Sequence, residues 1–268
     1  MKTVLVTGST DGIGLETARQ LLAADMHVLV HGRNEKKATR SAAELARRVP
    51  GSRTTAVWGD FSRMSEVAEL ASQVNAVAPV LDVLINNAGI YSRRRIMTDD
   101  GLELTMAVNH FAPYLLTRLI GPLLSKAPAG RIVNVSSMAH QSGDIDLDDL
   151  TFEHGFDGYG AYSASKLANI LFTRVLAERL AGTGVTANCL HPGVIDTKLL
   201  HAGFDIKGAS VQSGAETSVY LATSEKVANV SGKYFVNCRE TSPSRRARDA
   251  RLAEALWSQS EKLVGEYL

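Results

Sequence analysis

Residues 7–14 read TGSTDGIG. They follow the short apolar run Thr3 to Thr7 and open a stretch, Ile13 to Ala24, whose apolar residues recur at helical spacing. Glycines at positions 8, 12 and 14 let the backbone turn sharply from strand to helix and approach a bound group closely. Free N–H groups at the helix start, together with its dipole, favour a phosphate there. The remaining chain repeats this strand-then-helix unit. Further strands are expected at His27 to His31, Thr54 to Trp58, Val80 to Ile85, Arg131 to Ser136, Val185 to Leu190 and Lys233 to Val236. Helices are expected at Glu35 to Val49, Met64 to Val77, Gly101 to Lys126, Gly160 to Leu180, Gly214 to Leu221 and Arg245 to Val264. Several strands are apolar on both faces, as buried parallel strands must be. The expectation is an α/β Rossmann fold: one doubly wound domain over residues 1–268, a seven-stranded mostly parallel sheet and helices on both faces.

Composition narrows the function. The 29 basic and 28 acidic residues nearly cancel, so no broad field draws the chain to nucleic acid or to an anionic membrane. Cys189 and Cys238 are too few for a disulfide framework and lack metal-ligand spacing, so reduced thiols and no metal are expected. The N-terminal apolar run is far shorter than a signal peptide's or a membrane span's, which points to a cytoplasmic protein with no membrane partner. Two segments exceed ordinary connections: 143–158 (GDIDLDDLTFEHGFDG) and 199–213. They are candidates for a substrate wall and a lid, with plain surface decoration as the alternative.

The glycine turn places Gly8, Ser9, Thr10, Asp11, Gly12, Ile13 and Gly14 around a dinucleotide pyrophosphate. At the end of the second strand, where a carboxylate would accept from an adenosine ribose, stand Gly32 and Arg33. A guanidinium fork suits an added 2′-phosphate, so NADP(H) is expected in preference to NAD(H). Asp11 brings a negative charge to this loop, although its side chain suits a helix cap. Asp60 in WGDFS, with Phe61 beside it, is placed at the adenine; the alternative for Asp60 is an N-cap for the helix near Met64. Asn86, Asn87, Ala88 and Gly89 follow the fourth strand, where they either hold neighbouring loops or touch the nucleotide.

AYSASK puts Tyr162 and Lys166 four residues apart on one helix face. An ammonium beside a phenol stabilises the phenolate and lowers its pKa, which suits Tyr162 to exchange a proton with a substrate oxygen. Ser136 and Ser137 end the fifth strand and Asn109 lies in the fourth long helix, at the same sheet edge. His110, His140 and His191 sit on separate elements and are expected to be structural. Arg93, Arg94 and Arg95 are expected on a solvated face rather than against an acidic substrate, and Met138 and Phe204 either line a pocket or pack.

Taken in order, TGSTDGIG, NNAG, the strand-end serine, YSASK and the HPG turn resemble the short-chain dehydrogenase/reductase family, over Thr7 to Thr197. VNHF, VSSMAH, AYSASKLANILFTRVLAERL, ANCLHPGVIDT and VSGKYF look like its retinol-dehydrogenase-like branch. The resemblance implies hydride transfer between a nicotinamide and a carbonyl or alcohol, with reduction of an activated C=C bond and a non-catalytic NADP(H)-binding regulator as alternatives; the apolar residues around the expected lid suggest a lipophilic small molecule. The resemblance also implies Ser137 as the residue polarising the substrate oxygen, Tyr162 as general acid or base, Lys166 on the nicotinamide ribose and Asn109 holding a water. Ile195 and Thr197 would meet the nicotinamide carboxamide, with Pro192 and Gly193 shaping the turn. The family commonly pairs through its long fourth and catalytic helices, so a homo-oligomer, dimer or tetramer, is expected. The 25 positions from Ser137 to Tyr162 exceed the spacing of compact members, as in the retinol-dehydrogenase-like branch.

Overall fold

The computed structural model describes residues 1–268. Its single sheet holds β1 (Thr3–Val6), β2 (His27–Gly32), β3 (Arg53–Trp58), β4 (Val83–Asn86), β5 (Arg131–Val135), β6 (Thr186–His191), β7 (Tyr234–Val236) and β8 (Arg239–Glu240). The order is β3-β2-β1-β4-β5-β6-β7-β8, parallel throughout except for the last pair. Chain direction reverses its march between β1 and β4, and the crevice beyond the carboxyl ends of those strands is where such sheets bind ligands.

Helices α1 (Gly12–Ala23), α2 (Glu35–Arg48) and α8 (Val211–Thr223) cover one face. Into it point Val4, Val6, Val28, Val30, Val83 and Ile85. The intervening Leu5, Leu29 and Leu84 point the other way, towards α3 (Met64–Val77), α5 (Ala112–Leu124), α6 (Gly158–Arg179) and α9 (Ala250–Val264). Every residue in these central strands thus meets a core, which is why they read as continuous apolar runs rather than alternating ones. Truncating one of these leucines to alanine would cost about 2–5 kcal/mol.

The structure departs from the sequence-based expectation in three places. The sheet has eight strands, because Asn237 (φ 49°) and Cys238 (φ 59°) turn left-handed and fold β8 back on β7. That is the geometry of a two-residue hairpin, but the sequence lacks the Asn-Gly or Asp-Gly pair that announces one. The helix expected at Gly101 to Lys126 begins only at α4 (Leu104–Met106), where the Glu103 carboxylate accepts from Met106 N–H at 2.9 Å. It then widens into a π turn over Ala107–Phe111 before α5. Pro113 has no N–H for the carbonyl of Asn109 four residues back, and its ring would press on that carbonyl in a regular α-helix. The wider turn relieves both. Finally, the segment 199–213 is not all loop, since α7 (Lys198–Gly203) occupies its start, capped by Thr197.

Candidate active site

A cleft of about 400 Å³ lies over the carboxyl ends of β1, β2 and β3. Gly8, Thr10, Asp11, Gly12, Ile13 and Gly14 form its floor, and Arg33, Asp60, Phe61, Asn87, Ala88, Gly89 and Thr197 its sides. Two of its glycines admit no side chain. A Cβ on Gly8 (φ +64°) would stand 2.9 Å from Ala88 Cα, and one on Gly14 2.3 Å from Gly8 O. Asp11 caps α1, its carboxylate accepting from Gly12 N–H at 2.8 Å, and it pairs with Lys198 at the start of α7. Lys198 thereby holds the Asp11 carboxyl below the usual carboxylate range.

Ser9 does not belong to this floor. It is fully buried, donating to Val6 O at 2.8 Å and accepting from His31 N–H at 2.9 Å, because the turn needs those backbone groups satisfied. Asp60 is not a helix cap either. It accepts from Ser62 N–H at 2.9 Å and Ser62 Oγ at 2.8 Å, while Asp100, from a distant loop, receives the N–H of Met64. Arg33 lies 64% exposed with its Nε 3.9 Å from the Asp60 carboxylate, so its guanidinium faces the open end of the cleft. Asn87 holds loops together, donating to Thr7 O at 2.8 Å, and Asn86 is tied to Asn134 inside the sheet.

A second cavity of about 250 Å³ continues from the first, sharing Ile13, Asn87, Gly89, Thr197 and Leu199. Ser137, Tyr162, Lys166, Pro192, Gly193 and Ile195 surround it. Lys166 Nζ donates to Val135 O at 3.2 Å and stands 5.6 Å from the Tyr162 ring centre. Ser136 points inward, its hydroxyl donating to Lys166 O at 2.7 Å, which leaves Ser137 as the strand-end serine beside the tyrosine. Asn109 lines neither cavity: its carboxamide accepts from Ile90 N–H at 2.8 Å and donates to Ile90 O and Ser165 Oγ, both at 3.0 Å.

Burial reverses one electrostatic expectation. The Tyr162 phenol is pushed up to about 12 by desolvation, with the Ser137 side chain acting the other way. Lys166, 3% exposed, is lowered to about 8 by the same cause. The Lys166 ammonium does not offset burial of the phenolate.

The rim is apolar. Met138, Tyr159, Val194, Leu200, Phe204 and Ile206 line the outer part. None of residues 143–158 lines it; Ile145 and Leu150 are buried, Asp149 accepts from Glu153 and His154 N–H, and Asp157 caps α6. The wall comes from Met138, before that segment, and Tyr159, just after it.

Residues 2–206 match the short chain dehydrogenase family. The chain belongs to that family. Human retinol dehydrogenase 14 is 40% identical to it over 293 residues, which span 98% of this chain and 86% of that protein. Human retinol dehydrogenase 12 is 38% identical over the same shares. The chloroplastic short-chain dehydrogenase TIC 32 A of Brassica napus is 36% identical, over 98% of this chain and 88% of its own. Among solved structures, a protein of Mycobacterium paratuberculosis superposes with a TM-score of 0.83 at 33% identity, covering 99% of this chain and 94% of that one. A protein described as an NAD(P)-dependent gluconate 5-dehydrogenase of Beutenbergia cavernae, with bound NADP at low occupancy, gives 0.72 at 29% identity, covering 88% and 94%.

This short-chain dehydrogenase carries site residues that its motifs do not announce. His31 lines the first cleft, accepting from Gly8 N–H at Nδ1 (2.9 Å) and stacking on Phe61 with ring centres 4.7 Å apart. Tyr91 packs 5.7 Å from Tyr162 and 5.6 Å from Phe204. Arg93 and Arg95 are not merely solvated: Arg93 donates to Ala202 O and Arg95 to Thr151 O, each at 2.8 Å, joining both long segments to the loop after β4. Pairing of an arginine with a backbone carbonyl leaves no trace in spacing. No helix of the dehydrogenase is long and apolar enough to cross a membrane.

Proposed function

We propose that this dehydrogenase transfers hydride between NADP(H) and a lipophilic carbonyl compound, working in the direction of reduction. The observation that carries the reading is the joined pair of cavities, with Arg33 at one end and Ser137, Tyr162 and Lys166 at the other. The close backbone approach at Gly8 and Gly14 fits a pyrophosphate over the start of α1. Arg33 suits a 2′-phosphate, with Asp60 and Phe61 beside the adenine. NADPH, when bound, supplies the hydride.

The chain's own groups handle the proton and the developing charge. Tyr162, protonated at neutral pH, donates its phenolic proton to the carbonyl oxygen as the carbon accepts hydride. Ser137 supplies a second, preorganised donor to the same oxygen. Lys166 stabilises the phenolate left behind and holds the nicotinamide ribose, and Asn109 Oδ1, which accepts from Ile90 N–H, keeps a second lone pair for a water near Lys166. Pro192, Gly193, Ile195 and Thr197 frame the carboxamide. The apolar rim of Met138, Tyr159 and Phe204, with 199–213 as lid, selects lipophilic substrates. As for assembly, α9 lies across the α5 and α6 surface through which the family commonly pairs, which favours a monomer.

NADPH consumption measured against aldehydes, ketones and enones tests the substrate class. Tyr162→Phe should keep NADPH affinity and lose about 100-fold or more in kcat; a near-normal rate in that variant would sink the assignment.

A further inference from the structure

The peptide group between Ser137 and Met138 is gripped at both ends by imidazoles. Its carbonyl accepts from Nδ1–H of His140 at 2.7 Å, and its N–H donates to Nδ1 of His191 at 3.2 Å. The two rings arrive from different elements, His140 from the 3₁₀ turn Met138–Ser142 and His191 from the end of β6. Ser244 N–H donates to Nε2 of His140 at 3.1 Å, so that ring bears its proton on Nδ1. His191 accepts at Nδ1 and therefore bears its proton on Nε2. Two neutral rings of opposite tautomer hold one peptide. Both are buried, and burial lowers the pKa of each, that of His191 to about 4 with His140 and Lys166 adding to the effect. Tyr234 packs edge-on against His140 with ring centres 5.1 Å apart and fixes its plane.

We infer that His191 and His140 are positioning residues: by fixing the peptide that follows Ser137 they aim its hydroxyl at the substrate oxygen. The inference rests on the role given to Ser137 above. A donor displaced by an ångström loses much of its effect on the transition state while cofactor binding, made elsewhere, is untouched.

Kinetics of two variants test it in the full chain. His191→Phe keeps a ring and removes the acceptor; His191→Asn restores an acceptor. The expected result is a loss of about tenfold or more in kcat for His191→Phe, with KM for NADPH within about twofold of wild type, and recovery of most of kcat in His191→Asn. A wild-type kcat in His191→Phe, or no recovery in His191→Asn, overturns the inference. Imidazole ¹⁵N shifts of the wild-type protein give a readout that needs no variant to fold: the proton should sit on Nδ1 of His140 and on Nε2 of His191, and any other pair of tautomers overturns it as well. If wild type turns over none of the carbonyl compounds, it is the reading of the reaction that fails, and the tautomer pair is still read directly.

Discussion

The N–H of Gly8 and Nδ1 of His31 meet at 2.9 Å, joining the phosphate turn after β1 to the end of β2. The other ring nitrogen of His31 reaches Gly59 O after β3 at 3.1 Å. One neutral ring therefore spans three consecutive strand ends beneath the cofactor cleft. Replacing it by leucine leaves the half-buried N–H of Gly8 and the buried carbonyl of Gly59 without their partner, a cost of roughly 1–3 kcal/mol for the carbonyl and less for the N–H. His31→Leu should weaken NADPH binding by about tenfold, measured by fluorescence titration; unchanged affinity would separate His31 from the cleft.

Three buried histidines make stability fall in mild acid. Burial lowers His31 to about 4, His110 to about 3 and His191 to about 4, against about 6.5 in an unfolded chain. Between these values the unfolded state binds more protons. The contribution is complete above about pH 6.5 and is lost as pH falls towards the folded pKa values. Near pH 5 the slope approaches about 4 kcal/mol per pH unit for the three together. Urea unfolding at pH 7, 6 and 5 should show a falling midpoint, and a constant midpoint would contradict the buried, neutral assignment.

The role proposed for Arg33 in cofactor choice is separable from stability. Its 3.9 Å approach to Asp60 is an exposed pair of the kind worth at most about 1 kcal/mol. Arg33→Ala should leave the melting temperature within a few degrees while lowering the NADPH-to-NADH ratio of kcat/KM by about tenfold or more. A preserved ratio would remove Arg33 from 2′-phosphate recognition.

Helix α9 seals a surface that is otherwise aromatic. Trp257 lies against Tyr114 and Phe172, while Arg118–Glu261 and Arg179–Glu254 pair at its flanks. Light scattering should give the mass of one chain. Trp257→Ala should cost about 3–5 kcal/mol and promote self-association by baring Tyr114 and Phe172. A wild-type dimer in which α9 stays protected from hydrogen exchange would show pairing through another face.

Much of this was legible in the residues. The glycines at 8, 12 and 14 and the buried runs VLV and VLIN force the parallel sheet and its crevice, and the positions of Tyr162 and Lys166 on α6 follow from helical spacing alone. What escaped were contacts made across long separations by groups with several uses. Ser9 sits amid a phosphate turn yet points into the core, and His31 looked like an ordinary strand residue. The acidic run 143–158 looked like a pocket wall because polar composition does not reveal that Ile145 and Leu150 anchor it. The direction of the Tyr162 shift depended on depth of burial, which spacing cannot convey.

The π turn at Ala107–Phe111 has a consequence for how this helix tolerates change in length. It stores one surplus residue that keeps α4 and α5 in phase, so a single deletion there would tighten the turn to an ordinary helix and bring Pro113 against the Asn109 carbonyl. The cost falls on the turn itself, since a proline inside a regular helix is worth about 3 kcal/mol or more. Removing Val108 should lower the melting temperature and part Asn109 from Ile90 and Ser165, abolishing turnover. A deletion variant that remains active would show that the loop after β4 holds its place without Asn109. The surplus residue is thus a reading-frame marker in three dimensions: helices aligned across relatives by length alone would be misphased at this position by one side chain.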